Sequence, residues 1–167
     1  MHPYAPFHGG LVLAERLPGT AAYPVQLGDG RLVGYVRTET KLFTRNFHVV
    51  DPSQRIQLGY GSRYDTRGWG YRTVTARNEL LVGLEMPVFR GPRGQSRVHL
   101  PGGRVLYTNH LGSLRTFELV DALGAVQGRL DGWAWHLYAP VLSIAQAAAL
   151  AQSLKQAVQA QRRSTYS

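Results

Sequence analysis

The segment Val141–Gln161 constrains the fold of this chain more than any other. It contains no glycine and no proline and is rich in alanine, which predicts an α-helix. Pro140 suits its first turn, where a missing N–H costs least. At about 1.5 Å per residue the helix would run roughly 31 Å. With successive residues placed 100° apart, the apolar side chains of Val141–Ala151 point in nearly every direction, interrupted only by Ser143 and Gln146. A surface helix shows a single apolar stripe, so this half must be surrounded by protein. The second half narrows to Leu150, Leu154, Ala157 and Val158. Gln152, Lys155, Gln156 and Gln159 lie opposite, a face expected to reach solvent.

What surrounds the helix is written in the preceding residues. Tyr23-Pro24-Val25-Gln26-Leu27, Gly28-Asp29-Gly30 and Arg31-Leu32-Val33-Gly34-Tyr35-Val36 read as strand, tight turn and strand. The unit recurs through Pro52-Ser53, Arg77-Asn78, Pro101-Gly102-Gly103 and Gly124. Two units match at an offset of 70 residues: Arg45, Phe47, Val50, Asp51 and Gln57 against Arg115, Phe117, Val120, Asp121 and Gln127. In each, the Asp stands where its carboxylate can bond the backbone of the turn. With Leu11–Leu13 before the first hairpin and Trp133–Tyr138 after the last, the chain offers about twelve strands. Closing such a meander removes its exposed edges. A barrel that wide needs a plug, and the Ala-rich helix supplies one. The expected fold is mainly β: a closed antiparallel barrel of about twelve strands around a central C-terminal helix.

Phe47-His48-Val49-Val50-Asp51 and Phe117-Glu118-Leu119-Val120-Asp121, followed by a hydrophobic C-terminal helix, resemble the tubby C-terminal-like superfamily. This group includes tubby proteins, phospholipid scramblases and LURP-one-related proteins. The resemblance covers roughly residues 10–160 and implies that same plugged barrel. It divides the chain into an N-terminal extension (1–9), one barrel domain (10–161) and a basic tail (162–167). The helix is richer in Gln and Ala than in the relatives. Tubby proteins bind phosphoinositide head groups through basic residues, but no position here matches that site, so the resemblance transfers no site residue.

The search for chemistry turns up little that is catalytic. The chain has no cysteine, which excludes thiolate ligands and nucleophiles. No G-x-S-x-G surrounds Ser62 or Ser113. The six histidines lack metal-ligand spacing, although His99 and His110 flank one hairpin and would form a pair if they met. Gly59-Tyr60-Gly61 and Gly68-Trp69-Gly70 fail the dinucleotide fingerprint and read as bends in barrel strands. No catalytic residue, metal or cofactor is implied.

The stronger signal is charge. Nineteen basic residues face ten acidic ones, for a net charge of +9, and both halves of the chain carry the excess. Seventeen of the nineteen are arginine, whose planar fork suits phosphate, although positive charge can also merely aid solubility. Residues 86–117 contain no acid. The candidate anion-binding residues are Arg63, Arg67, Trp69, Arg72, Arg90, Arg93 and Arg97, because clustered arginines with aromatics suit phosphates, bases or a lipid interface. The expected function is a non-enzymatic module binding an anionic lipid surface or another phosphate-bearing ligand. The alternatives are a nucleic-acid-binding or chromosome-associated protein and, third, an enzyme with scramblase-like activity. Met1-His2-Pro3-Tyr4 has no secretory pattern and no apolar run approaches the ~20 residues of a spanning helix. A cytoplasmic protein, peripheral at the membrane if its ligand is lipid, is therefore expected.

Overall fold

A computed structural model describes residues 2–41, 44–63 and 69–165. Its strands are β1 (Pro6–Leu13), β2 (Ala22–Leu27), β3 (Leu32–Lys41), β4 (Thr44–Val50), β5 (Gln57–Arg63), β6 (Trp69–Val74), β7 (Leu80–Met86), β8 (Ser96–His99), β9 (Val105–His110), β10 (Thr116–Val120), β11 (Val126–Asp131) and β12 (Ala134–Ser143). Each pairs antiparallel with its sequence neighbours, and β12 returns to β1 to close the barrel. The helix α1 (Ile144–Thr165) runs through it. The twelve-stranded plugged barrel is thus the fold.

The barrel closes on itself by alternation. Phe47 and Val49 of β4, Phe117 and Leu119 of β10, and Trp135 and Leu137 of β12 are buried in one core with the helix residues, two residues apart as strand geometry requires. The ring of Phe47 lies over its cross-strand partner Gly61, where a Cβ would overlap it. A Cβ on Gly59 would meet Leu81 and Thr73 at 2.9 and 3.0 Å. These glycines, read from sequence as bends, make room for neighbouring side chains inside the wall.

The 70-residue match proves to be a relation between strands six apart. Phe47 and Phe117 are both fully buried. In both hairpins the register shifts just before the Asp, between Val49 and Val50 and between Leu119 and Val120. Asp51 Oδ1 accepts from the N–H groups of Arg55 and Ile56, and Asp121 Oδ1 from those of Leu123 and Ala125. The second turn is one residue shorter, so Val50 opposes Gln57 whereas Val120 opposes Val126. Gln57 and Gln127 therefore do not correspond.

The helix starts later than its composition indicates. Pro140–Ser143 continue β12. Pro140 falls where the β1–β12 register jumps, between Phe7 opposite Leu142 and Gly9 opposite Leu137, so its missing N–H breaks no ladder. The start is set by the two residues that interrupt the apolar run. The Ser143 N–H donates to Gln146 Oε1 (2.9 Å) and the Gln146 N–H to Ser143 Oγ (3.1 Å), a reciprocal capping box. Ala145 donates its N–H to the carbonyl of Pro3 at 3.0 Å. Pro6–Gly9, read as part of an extension, form the first half of β1.

The wall also wraps more of the helix than expected. Ala147–Leu154 and Gln156–Val158 are buried, and Gln152 and Gln156, expected in solvent, are only 3% and 4% exposed. Twelve strands enclose all sides of the helix nearly to its end, so its polar face has to be accommodated inside.

Candidate anion-binding pole

Antiparallel alternation sorts the connections onto two poles. At the entry pole α1 begins; the β2–β3, β4–β5, β6–β7, β8–β9 and β10–β11 turns lie there. At the exit pole α1 ends; the β1–β2, β7–β8, β9–β10 and β11–β12 connections lie there.

Four of the sequence-predicted site residues collect toward the exit pole. Arg63 is the last residue of β5, and Arg90 and Arg93 lie in the β7–β8 loop. Arg97 is the second residue of β8, opposite Glu85 and Tyr107. All four are exposed. Exposed Arg115, Arg162 and Arg163 add to the same pole. Arg72 does not join them: it is exposed midway along β6, opposite Ser62 and Gly83, on the outer wall. Trp69 opens β6, but its side chain lies outside the described residues, as does the whole of Arg67. Beneath Arg63, its cross-strand partner Tyr71 is buried. Burial pushes the Tyr71 hydroxyl above its ordinary pKa, and the Arg63 charge pulls partly back.

The β7–β8 loop is a built structure. The Gly91 N–H donates to Pro87 O (2.8 Å), Arg93 to Arg90 O (3.1 Å) and Gly94 to Gly91 O (3.2 Å), forming a 3-10 turn over Gly91–Arg93. Gly91 and Pro92 are buried. The helix end reaches the loop, as Gln161 Nε2 donates to the Arg90 carbonyl at 3.4 Å. This footing holds Val88 and Phe89 outward, 56% and 100% exposed. Leu111, in the β9–β10 connection of the same pole, is also exposed. Phe89 is not among the residues singled out from the sequence. The available signal was an aromatic between Pro87 and Pro92, a spacing that leaves it no strand in which to be buried.

The entry pole holds a cavity of about 980 Å³ with Leu80, Leu81 and Leu100 in its wall beside Arg77 and Arg104. Its charges are answered locally. Arg104 Nη2 donates to the Val141 carbonyl at 2.8 Å, and His99 Nε2 lies 2.8 Å from Glu85 Oε2. His110 instead packs edge-on against Phe117, so the two histidines of this hairpin do not meet. Among the described residues no cluster of histidines and carboxylates could hold a metal ion, and no helix is long and apolar enough to cross a membrane.

No protein-family model and no curated protein matches the chain. Among solved structures it is similar to an Arabidopsis thaliana protein determined by X-ray crystallography. The TM-score is 0.65 at 12% identity, over 92% of this chain and 93% of that one. At that identity the likeness establishes the barrel and its plug.

Proposed function

We propose that this chain is a tubby-like, non-enzymatic binding module that docks by its exit pole on an anionic lipid surface. The observation that carries the proposal is Phe89, fully exposed beside Val88 and flanked by Arg90 and Arg93 on a hydrogen-bonded turn. A large apolar side chain held in water by a rigid loop gains by entering the acyl boundary, about 1.5–3 kcal/mol for a phenylalanine. Each arginine near an anionic surface adds about 1 kcal/mol. Together these terms reach several kcal/mol, enough for reversible peripheral attachment. Nucleic acid offers the same phosphates and bases on which Phe89 could stack, but gives the exposed aliphatic side chains of Val88 and Leu111 no hydrocarbon to enter. For that reason lipid is preferred over the nucleic-acid alternative.

The experiment is sedimentation with vesicles of phosphatidylcholine alone or mixed with phosphatidylglycerol, beside an oligonucleotide titration, each across a salt series. Binding only to the anionic vesicles, weakened by salt and by Phe89→Ser, is expected. Oligonucleotide binding indifferent to Phe89→Ser would instead favour the nucleic-acid alternative. No binding to either ligand at low salt would overturn the anion-binding function altogether.

A further inference from the structure

A second feature of the exit pole has no part in that docking surface. Between the last half of α1 and the ends of β2, β3 and β4 lies a polar pocket of about 250 Å³. Arg16, Arg45 and Lys155 converge on it, and Glu39 is the one carboxylate in its lining. Arg45 Nη1 is fixed by Gln159 Oε1 at 3.2 Å, and Lys155 Nζ lies 4.0 Å from the centroid of the Tyr23 ring. Glu39 is engaged by His48, whose Nε2 lies 3.1 Å from Glu39 Oε2. Gln152 and Gln156 complete the lining, both more than nine-tenths buried. Each has a side-chain oxygen with no hydrogen-bond partner.

Two of these features are unfavourable for the barrel alone: the gathered positive charge and the orphaned oxygens. Three cations crowd one small space, and a buried acceptor without a donor forfeits its hydration. Burial, with the nearby charge of Arg115, pulls the Lys155 ammonium below its ordinary pKa. Apolar residues at 152 and 156 would plug the barrel better, as alanine and leucine do along the rest of the helix. Such local conflicts between sequence and fold mark functional positions.

One class of ligand offsets the crowded positive charge and satisfies an orphaned acceptor. We infer that the pocket lined by Arg16, Arg45 and Lys155 binds a small phosphate monoester carrying a hydroxyl group. The phosphate oxygens accept from the guanidinium and ammonium groups, and the hydroxyl donates to the orphaned oxygen of Gln156. The ligand is either a free metabolite or the monoester headgroup of a lipid. The inference does not rest on the membrane reading, because the pocket can be tested with no membrane present.

The test is calorimetric titration of the full chain with glycerol 3-phosphate in low-salt chloride buffer, with glycerol and sulfate as comparators. Saturable binding is expected, with sulfate weaker and glycerol silent. Arg45→Met and Lys155→Met should each weaken it at least about tenfold, and Arg90→Ala should leave it unchanged. Gln156→Leu guards against misfolded variants: it removes an orphaned acceptor and should raise the melting temperature while abolishing binding. A vesicle arm then identifies the source. Preference for vesicles carrying lysophosphatidic acid, a monoester that keeps one hydroxyl, over phosphatidylglycerol vesicles at matched charge, lost in Lys155→Met, marks a lipid headgroup; soluble binding without that preference marks a free metabolite. No saturable binding of glycerol 3-phosphate, or binding that survives both Arg45→Met and Lys155→Met, would overturn the inference.

Discussion

The indole nitrogen of Trp135 donates to the carbonyl of Ala147 at 2.9 Å. Trp135 belongs to the strand that leads into the helix, and its ring is fully buried against that helix. Strand and plug are therefore locked together twelve residues apart. Trp135→Phe keeps one aromatic ring but loses the buried hydrogen bond, about 1 kcal/mol, and the volume of the second indole ring, a further packing loss. Trp135→Ala leaves a cavity and should cost roughly 3–5 kcal/mol. Urea denaturation measures both, and a Trp135→Phe variant as stable as the parent would show that the bond contributes nothing.

Phe47 and Gly61 should behave as one unit. Phe47→Ala and its counterpart Phe117→Ala should each cost roughly 3–5 kcal/mol. Gly61→Ala should destabilise because its methyl group overlaps the Phe47 ring. Combined with Phe47→Leu, it should cost less than the sum of the two single changes. A double-mutant cycle measures that coupling, and strict additivity would contradict the packing described.

Ala148, fully buried in the helix, should not accept a charge. Ala148→Arg should unfold or aggregate the protein, since no partner awaits the guanidinium in the crowded interior. A soluble variant with an unchanged melting temperature would be inconsistent with a helix enclosed by the wall.

Much of this was legible in the sequence, and the failures share a cause. Every entry-pole turn was readable because Gly, Pro, Asn and Asp mark such turns chemically. The plug was readable because its apolar residues face all ways. Ser143 and Gln146 read as blemishes in an apolar run, because a capping box is recognised by which backbone groups it satisfies and composition does not carry that. Gln152 and Gln156 looked like a solvent face because periodicity reports polarity, and the pocket that receives them exists only once β2, β3 and β4 have closed around the helix. Among the site residues, clustering in sequence corresponds in part to a shared pole, since Arg63, Arg90, Arg93 and Arg97 lie toward the exit. Arg72 shows the limit: it is an exposed arginine like the others, but its register opposite Ser62 and Gly83 leaves it on the wall.

Asp51 should make stability depend on pH. The Ile56 N–H first, then the Ser53 hydroxyl and the Arg55 N–H, hold its carboxylate below the ordinary pKa. A folded-state value below the unfolded one, ordinarily about 3.9, adds stability present above the unfolded pKa. That stability is lost as pH falls through the folded pKa. Asp51→Asn should flatten the acid side of the stability curve, as read by melting temperature from about pH 6 to pH 2.5. An acid limb as steep as the parent's would assign the dependence to other groups.

Arg90, Arg93 and Arg97 replaced together by alanine should lose roughly 3 kcal/mol of binding to anionic vesicles, about a hundredfold, with a flatter salt dependence. Removing Arg162 and Arg163 should matter less. Unchanged affinity in the triple variant would move the contact surface elsewhere.

The orientation of docking is the central claim, and the absence of cysteine from the chain allows it to be read directly. A single environment-sensitive fluorophore is attached at Val88→Cys in the exit-pole loop or, separately, at Leu123→Cys, an exposed position at the entry pole. Emission is then recorded as phosphatidylglycerol vesicles are added. The account predicts a blue shift at position 88, absent with phosphatidylcholine alone, and no shift at position 123. A shift at 123 with none at 88, or silence at both while the protein sediments with the vesicles, would contradict it.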